Sequence, residues 1–248
     1  MRREFIILSY LKSFQAQNGP VVNVRGLFRR PGSLGWALAT ELVGGPRLDS
    51  LMTKFTPPML RAFASELLGA LDSLHSKSVM HRDLKPQNIF FDPQTRKLKL
   101  IDFGQAEFWL PEQLYSPRVG CKFFKAPELL LESPTYHYAI DIWAAGVILL
   151  SIISGLFPYF LGTDTKEILL KIAEFSGWEE LNTLRVTFKK EKEPLPPGFT
   201  KKGLSEVKGP LASPEALSLC AKLLTLDPQT RPSAKEALNH PFFKVSEE

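Results

Sequence analysis

The sequence predicts an α+β fold in which a small strand-bearing part, residues 1–43, precedes a largely helical body, residues 44–248. Three observations predict it. Strand-like segments are few and short. Apolar residues at steps of three and four dominate the second part. Glycine and proline gather at "ELVGGP", the expected seam between the two.

Taken in order, "REFIILSYLKSF" reads as a helix with Phe5, Leu8, Leu11 and Phe14 near one face. "PVVNVRGLFRR" and "GWALATELV" read as strands separated by the turn signal "PGSLG". Thr56 is the expected N-cap of a helix with Pro57 at its first position. Leu60, Phe63, Ala64, Leu67, Leu68, Leu71 and Leu74 give that helix an apolar stripe to about Ser76. "NIFFD" and "KLKLID" form a hairpin across "PQTR", which puts Asp102 at a strand end. An uncharged helix starts near Asp141, and another covers "KEILLKIAEF". Lys189 to Pro210, rich in Lys, Pro and Gly, predicts an exposed loop. Ser213 caps a helix that begins at Pro214, and "SAKEALNH" is a last short helix before "PFF".

Composition narrows the function classes. At 248 residues the chain supports one large domain or two small ones. A net charge of +5 is mild and too diffuse to argue for nucleic acid on its own, and no direct nucleic-acid partner is expected. Cys121 and Cys220 have no CxxC or metal-like spacing and fit single thiols in a reducing compartment. "MRREFIILSY" begins like a signal peptide, but Glu4 interrupts it and no small-residue cleavage site follows. Ile142 to Thr163 runs 22 residues without a charge, a length that could span a bilayer. Pro158 and three glycines break it and no basic flank orients it, so a buried helix is expected and no membrane partner.

The chemistry is concentrated in "HRDLKPQNIFF", His81 to Phe91. Asn88 follows Asp83 by five positions, Asp102 of "IDFG" by 19, and Glu128 of "APE" lies 26 beyond Asp102. Transfer of a phosphoryl group needs an acceptor for the hydroxyl proton and hard oxygen ligands for Mg²⁺, and these residues supply both. "DFG" alone is weak. The ordered set, with a hairpin inside it and "DIWAAG" after it, is specific.

In that order the motifs resemble the protein kinase signature, and the resemblance covers essentially the whole chain. It implies a protein kinase-like fold with a near-complete helical large lobe and a truncated small lobe. It implies ATP and Mg²⁺ as cofactors. Asp83 would be the catalytic base and Lys85 would contact the transferring phosphate. Asn88 and Asp102 would hold the metal. Phe90 would lie beneath the adenine and Ile101 would back the nucleotide. Glu41 and Val43 would be the hinge, with Thr40 at the gatekeeper position. Glu128 would pair with Arg231, and Asp141 would brace the catalytic loop.

"KLKLIDFGQAEFWLPEQLYSPRVGCKFFKAPELLLESPTYHYAIDIW", with "RREFIIL" and "HPFF" toward the ends, is similar to the casein kinase II catalytic subunit. Phe103 and Ala126 depart from that family, which has Trp and Gly there. The resemblance implies a Ser/Thr kinase in nucleus and cytoplasm, acidic protein substrates and a regulatory subunit. Arg118, Lys122 and Lys125 would lie where substrate residues after the target pass, and would favour acidic side chains there. Only Ser116 could be phosphorylated as a Ser or Thr between DFG and APE, which argues against activation by phosphorylation of this segment. "AIDIWAAGVILLSIISGLFPYF" and "FSGWEEL" are similar instead to the cell-division-control kinase that fires replication origins, the alternative within the class.

No Gly-rich loop and no V-A-I-K-type lysine occurs in the sequence. By register, Glu4 is the acid that would pair with such a lysine. Three expectations follow: Met1 is internal to a longer, active kinase; the short chain is a pseudokinase acting as a binding module; or it is a fragment that folds with another chain. The intact set of Asp83, Asn88 and Asp102 favours the first.

Overall fold

The computed structural model describes residues 1–15, 19–29, 32, 35–188 and 201–244. Its architecture is α+β, with helices dominating and short two-stranded sheets at the front.

Helix α1 (Arg2–Lys12) buries Ile7, Leu8 and Leu11 against the first sheet. The expected face is shifted. The helix ends at Lys12, so Phe14 lies beyond it, 56% exposed, with its ring 5.0 Å from that of Tyr10. Strands β1 (Val24–Arg29) and β2 (Trp36–Thr40) pair antiparallel, with Leu27 opposite Leu38. Both are shorter than expected. Val21 and Val22 leave β1 to bridge the large lobe, where the Val22 amide donates to the Leu100 carbonyl at 3.0 Å. Glu41 to Val43 lie past the end of β2. The turn "PGSLG" falls mostly outside the described residues.

Helix α2 (Pro57–His75) starts at Thr56, whose side chain makes no capping hydrogen bond. All seven stripe residues read from the sequence are in the core. Each buried Leu or Phe among them contributes about 1.5–3 kcal/mol, enough to hold a helix of this length against the rest of the body. Strand β3 (Val79–Met80) and the hairpin β4 (Ile89–Asp92) and β5 (Lys97–Leu100) lie beneath it. The hairpin stops at Leu100, so Ile101 and Asp102 are outside the strand that was expected to carry them. Period-two alternation sends Ile89 and Phe91 inward, Phe91 edge-on to Phe63 at 5.3 Å, and leaves Phe90 on the opposite face, half-buried. Strand β6 (Glu107–Phe108) pairs with β3.

The body continues with α3 (Pro127–Leu130), α4 (Ala139–Ser154), α5 (Thr165–Ser176), α6 (Trp178–Thr187), α7 (Pro214–Leu223) and α8 (Ala234–Ala237). Every residue of α4 from Ala139 to Ile153 is buried, and Gly155 in the left-handed region (φ 71°) ends it. A Cβ on Gly146 would stand 2.9 Å from the Leu224 side chain, so glycine there lets α7 approach. Among the described residues no helix is long and apolar enough to cross a membrane. Ser213 caps α7 by accepting from the Ala216 amide at 3.2 Å, and Ser233 and Glu236 form a capping box at α8. Helix α6 is absent from the sequence reading, although Leu181 and Leu184 are buried and Glu179 and Glu180 sit in its first turn. The expected loop at 189–210 lies outside the described residues up to 200, and Gly203–Glu206 within the remainder forms a 3₁₀ turn.

Candidate active site

The site is organised by one carboxylate. Asp141, in the first turn of α4, accepts from the backbone amides of His81 (2.8 Å) and Arg82 (2.9 Å) and meets His75 Nε2 at 3.1 Å. Burial opposes its charge, but these hydrogen bonds and the nearby histidines outweigh burial and hold its pKa below the ordinary carboxylate value. The amides so fixed open the loop that carries Asp83, where Arg82 takes a positive φ of 65°. That conformation costs about 1–3 kcal/mol in a non-glycine residue and persists because partners fix both sides of it. Arg82 Nε donates to the Gln105 carbonyl at 2.6 Å and its Nη1 to the Tyr136 hydroxyl at 3.0 Å. The loop is therefore tied to the segment after "DFG".

Asp83, Lys85 and Asn88 are brought together on this loop. Lys85 Nζ lies 2.6 Å from Asp83 Oδ2, and Asn88 Nδ2 donates to the Asp83 carbonyl (3.0 Å) and to Oδ2 (3.2 Å). The other carboxylate oxygen, Asp83 Oδ1, is buried with no hydrogen-bond partner among the described residues. A buried carboxylate oxygen without a donor is an acceptor awaiting one. Burial works against the Lys85 ammonium, but the hydrogen bond and charge of Asp83, with the charge of Asp102, raise its pKa.

Asp102 occupies the left-handed region at φ 60° and is exposed. Its Oδ1 accepts from the Gly104 amide at 3.3 Å. Glu4 of α1 stands beside it, and burial together with the Asp102 charge raises the Glu4 pKa. Among the described residues no group of three or more metal-ligating acids, histidines or cysteines occurs. The donor set nonetheless fits Mg²⁺, which takes one or two protein oxygens and completes its shell with phosphate and water. Asn88 commits its amide hydrogens to Asp83, which leaves its carbonyl oxygen for a cation.

The residues expected to form the hinge follow strand β2. The Glu41 side chain is not directed to a ligand. It accepts from the Asn23 amide (3.0 Å) and Asn23 Nδ2 (3.1 Å), and pairs with Lys99 Nζ at 2.7 Å. Burial opposes its charge, and these contacts outweigh it and lower the Glu41 pKa. Lys99 is the strand partner of Phe90, so the hinge and the candidate adenine platform share one cross-strand pair. Val43 is half-buried and its backbone has no hydrogen-bond partner among the described residues. Ile101 is half-buried, its amide donating to the Asn88 carbonyl and its carbonyl bonded to His81.

The three cations expected to read substrate differ in setting. Lys125 lines a narrow cleft with Asp83, and burial lowers its pKa. Lys122 reaches to the Thr163 carbonyl at 2.8 Å and covers the Phe123 ring, so it is turned toward the start of α5. Arg118 is exposed. The sequence reading missed Lys99 and Asn23, whose pairing with Glu41 depends on separations of 58 and 18 residues that carry no local signal. Cys121, read from the sequence as a single thiol, lines the narrow space beside Asp83. The two structural contacts that the resemblance implies are both formed. Asp141 braces the loop, and Glu128 and Arg231, both wholly buried, pair at 2.8 Å.

A family model described as the protein kinase domain matches residues 1–243.

Proposed function

The chain belongs to the protein kinase domain family, and from that premise we propose that it transfers the ATP γ-phosphoryl group to Ser or Thr in acidic sequence surroundings, in the manner of casein kinase II. The observation that carries the reading is Asp83 Oδ1, a buried oxygen without a donor next to Lys85. An incoming hydroxyl supplies that donor. Asp83 orients it and accepts its proton as the oxygen attacks, while Lys85 lies beside the position of the transferring group. Mg²⁺, when bound, neutralises charge on the phosphates. Asn88 and Asp102 would hold it. The Glu41 carbonyl and the Val43 backbone would serve adenine, with Phe90 and Ile101 against its faces. Because the Glu41 carboxylate is tied to Lys99 and Asn23, recognition there rests on backbone alone.

Arg118 and Lys125 support the preference for acidic residues. Lys122, held by Thr163, contributes at longer range. The partners in this reading are acidic protein segments and a regulatory subunit, not nucleic acid or membrane, and the location is nucleus and cytoplasm. The replication-initiating kinase reading predicts the same chemistry and rests on the α4 segment. The binding-module reading is favoured by one contact, the approach of Glu4 to Asp102. Two neighbouring carboxylates oppose phosphate binding unless a cation joins them.

The test is phosphate transfer from labelled Mg²⁺–ATP to paired peptides, acidic or neutral after the target residue. Asp83→Asn is expected to lower kcat by about 10²–10⁴-fold with nucleotide binding kept, the size of a lost proton acceptor. Transfer that survives this change would sink the assignment. Absence of any Mg²⁺–ATP-dependent thermal shift in the unaltered chain would favour the binding module.

A further inference from the structure

A cavity of about 890 Å³ lies between the end of α5, α6, the end of α7 and the segment after β6. Small-molecule sites occupy about 300–1,000 Å³, so its size is that of a ligand pocket. It shares no lining residue with the narrow space beside Asp83, and the phosphoryl-transfer reading does not use it. Its described walls are mainly apolar, with Trp109, Leu110, Phe175, Leu184, Phe188 and Leu224 among them. Gly177 sets the bend between α5 and α6. Its φ is 117°, and a Cβ there would run into the Glu180 carboxylate. Tyr136 joins the cavity to the loop that carries Asp83. It lines the wall, and its hydroxyl accepts from Arg82 Nη1 at 3.0 Å and donates to the Ser116 carbonyl at 2.8 Å.

Two independent observations mark the cavity as a place for a ligand. The first is an orphan hydroxyl. Ser176 lines the cavity, and its Oγ is buried with no hydrogen-bond partner among the described residues. Trp178 Nε1, two residues on, is in the same state. Such a hydroxyl in an otherwise apolar wall suits one polar atom of a ligand. The second is charge. Glu112, Glu180 and Asp227 line the cavity and are exposed. Lys201, on the same rim, pairs with Glu180 at 3.3 Å. Glu112 and Asp227 form no ion pair among the described residues, which leaves the rim negative. His137 in the wall adds no opposing charge near neutral pH. Burial lowers its pKa, and its Nδ1 accepts from the Ala139 amide at 3.3 Å.

We propose that this cavity is a binding site for small cationic amphiphiles, molecules whose apolar body lies against Trp109, Phe175 and Leu224 while an ammonium group stays at the rim with Glu112 and Asp227. The apolar walls supply affinity in proportion to the body they cover, and the acids select the sign of the head group. No nucleotide or substrate takes part, so the site stands or falls apart from the phosphoryl-transfer reading.

The experiment titrates the intact chain with decylammonium, decanoate and decanol below their micelle concentrations, by calorimetry at low salt. Decylammonium is expected to bind one to one and at least about tenfold tighter than decanoate, with decanol between them. From hexylammonium to decylammonium each added CH₂ should tighten binding about three- to fourfold. Glu112→Gln should shrink the ammonium-to-carboxylate ratio and leave decanol unchanged. Ala221→Trp and Thr183→Trp place bulk on the cavity wall at exposed positions, and each should weaken all three ligands about tenfold or more while the melting curve is kept. Equal affinity for decylammonium and decanoate would overturn the cation preference. Binding that both tryptophan variants leave intact would place the ligand elsewhere and overturn the site, as would no binding of any of the three at about 1 mM, the affinity expected of a weak small ligand.

Discussion

Replacing Arg231 with leucine removes the most heavily committed side chain in the body. Its guanidinium donates twice to Glu128, at 2.8 and 3.1 Å, and also to the carbonyls of Ala139 (2.7 Å), Leu226 (3.0 Å) and Thr225 (2.8 Å). It also covers the Trp143 ring at 5.1 Å. Both charges are fully buried, so leucine leaves the Glu128 carboxylate uncompensated, at a cost of about 3–5 kcal/mol. The three carbonyls lose their donor as well, at about 1–3 kcal/mol each where water does not reach them. Against a total stability of about 5–15 kcal/mol this is a large fraction. Urea unfolding followed by tryptophan fluorescence reads it directly, and Trp143 is the nearest reporter. The charge term alone predicts a drop in Tm of about 6–20 °C for a chain of this size. Adding Glu128→Leu removes the stranded charge, so the double variant should recover part of the loss but not the carbonyl share. A loss under about 1 kcal/mol in the single variant, or a double variant no better than the single, would refute the reasoning.

Asp141 sets the acid limb of stability. Its folded pKa is depressed, so its contribution is complete above the unfolded carboxylate value of about 4 and disappears as pH falls through the folded value. Asp141→Asn should be less stable at pH 7 and show a shallower loss below about pH 4; parallel acid limbs in urea midpoints would contradict this. Lys99→Met leaves the Glu41 carboxylate with Asn23 alone, and should cost about 1–3 kcal/mol as a charged hydrogen bond is lost. It should also weaken nucleotide binding through the hinge, and an unchanged melting curve would show that the contact is idle. Arg118→Glu should raise KM for acidic peptides at least about tenfold more than for neutral ones, by the size of a close charge reversal. Equal effects on both would remove Arg118 from recognition.

The helical body was legible where one face carries the signal. The stripe from Leu60 to Leu74 needs no partner to be recognised, and all of it is buried. Asp83, Asn88 and Asp102 were read as a set from their motifs, and the structure brings Asp83 and Asn88 to hydrogen-bond distance on one loop. Helix α6 was not, because Leu181 and Leu184 give it only two core positions among polar residues. Phe14 was misplaced because periodicity marks a face but not the residue at which a helix stops. The Glu41 clamp and the turning of Lys122 toward Thr163 depend on contacts across 58 and 41 residues. No local pattern encodes such separations.

The way Asp141 holds His81 and Arg82 has a consequence for motion. Their amides donate to a side chain 1% exposed at the root of α4, so releasing them requires opening the centre of the body. In hydrogen-exchange terms the loop belongs to the last unit to open, although it lines the working cleft. The same holds for shape: the loop that carries Asp83 is tied to the helix beneath it. Thermal fluctuation here should therefore come from Asp102, which is exposed, and not from Asp83.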